Sequence, residues 1–204
     1  MDSIVINYER EFEKLESMLV NLRILKPLLY KKIYHTGSLF QYLANELEKN
    51  ELNSDNFVLD NDYILAGYYA NIGFLAIEDS IYKDNYTNEN DLQIIKRHVK
   101  ISADLLHEKG LKNIGDIVKL HHEKPNGSGF LREQNTNKKI AILNIADEFL
   151  DSILPYKRPE SPMVYEEAIE FCLNGYQSML ILNHQEIRTI KQSLFEYFSK
   201  NIRE

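Results

Sequence analysis

An all-α protein is predicted by three features of this 204-residue chain. Apolar residues recur at helical spacing almost throughout, and no two alternating β-branched runs are joined by a hairpin turn. Pro, Gly, Asp and Asn also fall where segments of helical length should start and stop, leaving about seven to eight helices between them. With 44% apolar residues the chain can bury one continuous core, and no repeat, low-complexity tract or linker divides it.

The first helix, about Tyr8 to Arg23, places Phe12, Leu15, Leu19 and Leu22 on one stripe. It makes residues 1–26 an N-terminal helical arm on a domain of residues 27–204, and such an arm suits packing against a second subunit in a homodimer. Pro27 opens a second helix that runs to about Lys49 and buries Leu28, Ile33, Phe40, Leu43, Ala44 and Leu47. Within it His35 is followed by Thr36, Gly37 and Ser38, a small and polar patch that selection for packing alone does not explain.

Asp62 is the expected cap of the third helix. Tyr63 to Ile77 carries no formal charge over 15 residues, but Gly67, Asn71 and Gly73 interrupt it and it is too short to cross a bilayer. A central helix buried on most sides is predicted there. Thr87 or Asn88 caps a fourth helix with Ile94, Ile95, His98, Ile101, Leu105 and Leu106 at core spacing, so His98 faces inward.

A short helix from about Asn113 sets Ile114, Ile117, Val118 and His121 on one face before Pro125, Gly127 and Gly129 break it. From Asn137 to Ile153, Ile140, Leu143, Asn144, Asp147, Leu150 and Leu154 share a stripe, which aims a carboxylate at the core. Ser161-Pro162 starts a further helix ending at Gly175. The last helix, about His184 to Asn201, carries Ile187, Ile190, Leu194 and Phe198.

Twenty-four Lys and Arg against 31 Asp and Glu give a formal charge of -7, which argues against broad attraction to nucleic acid or an anionic membrane. Lys124, Arg132, Lys138 and Lys139 offer a local phosphate-binding group, weighed against an ordinary solvated surface. The single cysteine, Cys172, sits in a helical run as a small core residue. The N-terminus lacks a basic segment followed by an apolar one, so a cytoplasmic location is expected.

His35, His98, His121, His122 and Asp147 occupy inward or helix-terminal positions on four helices, the pattern of a metal site built in a bundle core. Taken singly, each histidine is better read as a satisfied imidazole, as His107 and His184 are. Together they fit one divalent transition metal (iron, manganese, zinc or nickel), because one cation satisfies several buried polar groups at once. The alternative is no metal and a polar cluster bridged by water or Asp147.

These residues resemble the HD-GYP division of the HD-superfamily metal-dependent phosphohydrolases over roughly Ile33 to Tyr176. The eleven residues from His121-His122-Glu123-Lys124 through Pro125-Asn126-Gly127-Ser128 to Gly129-Phe130-Leu131 are similar to the family's His-His-Glu and Gly-Tyr-Pro segment. The run from His98 to Leu106 is similar to its His-Pro helix, and Ile142 to Phe149 to the helix bearing its late aspartate, Asp147 here. His35 corresponds to the first family histidine.

The resemblance implies an HD-superfamily helical bundle, bacterial signalling and cyclic di-GMP as ligand. It also implies metal ligands at His35, His98, His121, His122 and Asp147. The arm would then be a second subunit's contact or the remnant of an input-domain connection. Lys124, Asn126, Gly127, Ser128, Gly129 and Phe130 become a ligand or partner loop, with Phe130 as anchor for a diguanylate-cyclase-type protein.

Departures from the pattern are concentrated in the chemistry. Ala70-Asn71 stands in place of the family's His-Asp, Phe74 and Leu150 in place of two lysines, Lys31 in place of a glutamate, and Phe130-Leu131 in place of Tyr-Pro. Hydrolysis by two metals about 3.5 to 4 Å apart needs a bridging carboxylate, which Asn71 does not supply. The expectation is therefore a degenerate phosphodiesterase, impaired or inactive, serving as a ligand-binding or interaction module. An active phosphohydrolase with an altered metal site, and a sensor that binds cyclic dinucleotides without cleavage, are the alternatives.

Overall fold

The structure, a computed structural model, describes residues 6–49, 58–79, 81, 89–154, 163–177, 179 and 181–201. Among these there are nine α-helices, one 3-10 turn and no strand. The helices are α1 (Tyr8–Leu25), α2 (Pro27–Lys49), α3 (Asn61–Tyr69), α4 (Glu89–Lys96), α5 (His98–Glu108), α6 (Lys112–Lys119), α7 (Lys138–Ile153), α8 (Tyr165–Gln177) and α9 (His184–Asn201). The 3-10 turn is Ile72–Ala76. The predicted all-α fold is the one observed.

Local chemistry sets most of the starts. Asn7, Asp60 and Asn137 each accept backbone N–H groups in the first turn of the helix that follows. Asn183 accepts from the Gln185 and Glu186 amides while the Glu186 carboxylate accepts from the Asn183 amide, a reciprocal capping box for α9. The cap of α3 is thus Asp60 and not Asp62, whose carboxylate accepts from the Tyr8 hydroxyl instead and so ties α3 to α1. Thr87, Asn88, Ser161 and Pro162, expected at two other helix starts, lie outside the described residues.

α2 packs against α1, α3, α7 and α9, and α5 packs against α6 and the 3-10 turn. α7 is the most enveloped element: twelve of its residues are buried, among them Asn144 and Asp147. α1 adds Leu15 and Leu22 to the same core. Within the Thr36-Gly37-Ser38 patch of α2, Gly37 has a packing explanation, because a Cβ there would stand 2.4 Å from the Tyr68 ring, while the Thr36 hydroxyl donates to Asp147.

Two expected helices are broken, and both breaks place site residues. The uncharged run Tyr63–Ile77 is not one buried helix; α3 ends at Tyr69 and the chain turns at Ala70-Asn71 into the 3-10 turn. There the Gly73 amide donates to Ser102 Oγ at 2.8 Å, and the Ser102 hydroxyl donates to the Ala70 carbonyl at 3.0 Å. A Cβ on Gly73 would lie 2.2 Å from the His98 carbonyl oxygen, so only glycine permits this seat on α5. The fourth helix breaks at Arg97 into α4 and α5, leaving the Ile95 carbonyl to accept from the His98 ring.

Gly73→Ala should therefore lower unfolding stability by at least about 2 kcal/mol in urea titration. Gly175→Ala, whose Cβ would meet only the end of the Lys124 side chain at 3.3 Å, should stay within about 1 kcal/mol of the parent.

Candidate metal centre

Three histidines converge where α5, the end of α6 and α7 meet. His98 is the first residue of α5. His121 and His122 follow the end of α6 at Lys119, so His121 lies beyond the helix and not on its face as its spacing predicted. All three are buried, and their ligating nitrogens lie within 4.8 Å of one another.

The ring orientations follow from backbone partners. His98 Nδ1 is 2.8 Å from the Ile95 carbonyl oxygen and His121 Nδ1 is 2.6 Å from the Val118 carbonyl oxygen. A carbonyl only accepts, so both Nδ1 atoms carry the proton and both Nε2 atoms present lone pairs. Those two Nε2 atoms face each other at 3.3 Å. Ligands about 2.0 to 2.1 Å from a tetrahedral ion stand about 3.3 Å apart, so the spacing fits two nitrogens sharing one cation. Burial also pushes the His121 pKa below its usual 6.5, keeping the ring in the neutral form that binds metals.

Asp147 is fully buried beside this cluster, its Oδ2 at 3.5 Å from His122 Nε2. Its other oxygen, Oδ1, is heavily used: the Lys32 ammonium lies at 2.7 Å, the Asn71 amide donates at 2.6 Å and the Thr36 hydroxyl at 3.3 Å. Lys32, 1% exposed, also donates to the Asp147 carbonyl at 3.1 Å and to the Asp151 carboxylate. Sequence reading missed Lys32 and Asp151. The signal was present, since Lys32 lies four residues before Thr36 and seven before Leu39 on the buried stripe of α2.

Two aromatic rings close the histidines in. Phe74 stacks on His98 with centroids 4.3 Å apart, and Phe130 stacks on His122 at 4.1 Å. Phe130, expected as an anchor for a partner, is half-buried with Lys96 over its ring. Its loop is braced from beneath by the buried Glu123, whose two oxygens accept the Leu131 and Glu133 amides at 2.8 Å. The Gly127 amide donates to the Lys124 carbonyl, and the Ser128 amide to Asn126 Oδ1.

The remaining predicted residues lie elsewhere. His35 stands outside the three-histidine cluster, with Nδ1 3.2 Å from the Tyr197 hydroxyl on α9. Ala70 and Leu150 are fully buried core residues. The flanking bases are engaged: Lys124 pairs with Glu148 at 2.8 Å, Lys138 with the buried Glu186 at 2.7 Å, and Lys139 lies over the Tyr63 ring at 4.6 Å. Arg132 is exposed, with a positive φ of 62°.

A family model described as the HD domain matches residues 14–179. The chain belongs to the HD domain family. No curated protein matches it. HD domains are helical and typically hold divalent metals, and among the described residues the His98, His121 and His122 cluster could hold one. No helix among the described residues is long and apolar enough to cross a membrane.

Burial lowers the pKa of His121 below 6.5, and burial followed by the Lys31 charge lowers that of His35 in the same way. The unfolded chain takes up these protons first, so stability is full above pH 6.5 and declines as pH falls toward the folded values. Metal-free protein should show this decline in urea titrations at pH 7, 6 and 5, and His35→Asn should make it shallower.

Proposed function

We propose that this HD-domain protein is a degenerate member of the HD-GYP type, impaired or inactive as a cyclic di-GMP phosphodiesterase. On this reading it holds one transition ion at His98, His121 and His122 and acts as a ligand-binding or protein-interaction module in the bacterial cytoplasm. The observation that carries it is the state of Asp147. The carboxylate oxygen that would join a second metal already receives Lys32, Asn71 and Thr36.

Three further features support the same reading. Asn71 contributes an amide and no negative charge, so nothing replaces the bridging carboxylate that two-metal hydrolysis needs. Phe74 occupies one face of the His98 ring, where a phosphate-neutralising cation is wanted. Phe130 covers His122 in the same manner.

The chain's own residues nonetheless keep the ordering chemistry of a metal centre. The Ile95 and Val118 carbonyls hold two rings in one tautomer, and Glu123 holds the loop that carries Phe130. A metal bound there would polarise a single oxygen ligand or water as a Lewis acid. Chemistry that also requires a second cation to stabilise the leaving oxygen would go unserved.

Incubation of the purified protein with cyclic di-GMP or its linear product, with Mn2+ or Fe2+ added, should give no turnover above a blank. Turnover that His122→Ala abolishes would instead identify an active phosphohydrolase with an altered centre. Protein purified without chelator should carry no more than one transition ion per chain by elemental analysis. His121→Ala should weaken that binding by at least about 100-fold, since losing a ligand harms more than losing the group that orients it.

A further inference from the structure

Lys32 is a long cationic side chain turned into the core, where its ammonium meets an environment made of oxygen. Its Nζ lies 2.7 Å from Asp147 Oδ1 and 3.1 Å from the Asp147 carbonyl oxygen, and it contacts Asp151 Oδ1 as well. Three ammonium protons thus have three oxygen acceptors. The Thr36 hydroxyl and the Asn71 amide approach the same Asp147 oxygen from other sides.

Asn71 meets the same carboxylate through its amide and leaves a buried oxygen over. It is 1% exposed, its Nδ2 is spent on Asp147, and its Oδ1 is buried with no hydrogen-bond partner. The two carboxylates and the backbone carbonyl around the ammonium are hard oxygen donors of the kind that hold Mn2+ or Mg2+. The histidine cluster, by contrast, offers nitrogen.

We propose that the Lys32 ammonium is a built-in replacement for a divalent cation between Asp147 and Asp151, and that it limits the centre to one metal ion. This rests on the single-ion reading above and explains it: the second position is filled by a covalently attached charge. The ammonium brings one of the two positive charges that a divalent ion would bring to the acidic pair, and it has no open coordination position for water or phosphate. Its stem on α2 also ties that helix to α7.

Lys32→Met keeps an unbranched side chain one atom shorter and removes the charge. Metal-free wild type and variant are titrated with Mn2+ and with Co2+, reading bound metal by elemental analysis and the midpoint of thermal unfolding. The wild type should saturate at one equivalent, and Lys32→Met should take a second. The melting midpoint of Lys32→Met should rise with Mn2+ concentration, as linkage to a site present only in the folded state requires. The same Mn2+ dependence should persist in Lys32→Met combined with His122→Ala, which separates the oxygen site from the histidines.

A folded Lys32→Met that binds no more metal than the wild type, or a wild type that takes two equivalents, overturns the proposal. A wild type that takes none, beside a double variant that gains one, would remove the single-ion reading and leave the role of Lys32 intact. Should Lys32→Met be unfolded in chelator, recovery of its fold on adding Mn2+ supports the proposal, and failure to recover overturns it.

Discussion

A carboxylate with no solvent exposure must be neutralised or partnered, and the arrangement of this core follows from how Asp147 meets that demand. Lys32 reaches it from α2 across to α7, with Asp151 one turn further along α7 taking part in the same pairing. Removing one partner of such a buried pair costs about 3 to 5 kcal/mol, because the other is left uncompensated. The two helices are therefore locked in one register. That register presents Thr36 to the carboxylate, and Asn71 reaches it from the turn beyond α3. A group expected to serve chemistry has become an internal strut.

The two sides of the centre have separated in character. On the Asp147 side every donor is hard and the charge is supplied by an ammonium. On the histidine side the donors are imidazole nitrogens, covered by Phe74 and Phe130. Burial of this kind lowers the local dielectric, which strengthens any interaction with a cation that does enter. Selectivity there should follow nitrogen affinity, favouring borderline transition ions over Mg2+ or Ca2+.

Much of this was legible from residue spacing. The stripe of α7 put Asp147 in the core, the periodicity before His98 turned it inward, and the segment from His121 to Leu131 brought two histidines to a helix end. The breaks at Arg97 and Asn71 were not legible, because each depends on a contact distant in sequence: the seat of Gly73 on the His98 backbone, and the capture of the Ile95 carbonyl by an imidazole. Lys32 was overlooked for a different reason. A lysine is rarely fully buried, so its place on the buried stripe of α2 counted for less than its charge, and pairing with Asp147 and Asp151 reverses that weighting. Phe130, expected as a partner anchor, lies over His122 on the loop that Glu123 braces, a contact that spacing does not show.

The histidine pair can be satisfied in only a few ways, and the geometry discriminates among them. Two deprotonated Nε2 atoms at 3.3 Å repel. Turning either ring to its other tautomer would set a lone pair against a carbonyl oxygen at 2.6 or 2.8 Å, losing a hydrogen bond and adding a repulsion. Protonating one ring would bury an imidazolium, against the desolvation that already lowers the pKa of His121. A water donating to both nitrogens needs about 2.8 Å to each and a wider separation than the rings provide. A single cation accepts both lone pairs at this spacing and leaves both backbone hydrogen bonds in place. That is the physical reason the His98 and His121 pair suits one shared ion.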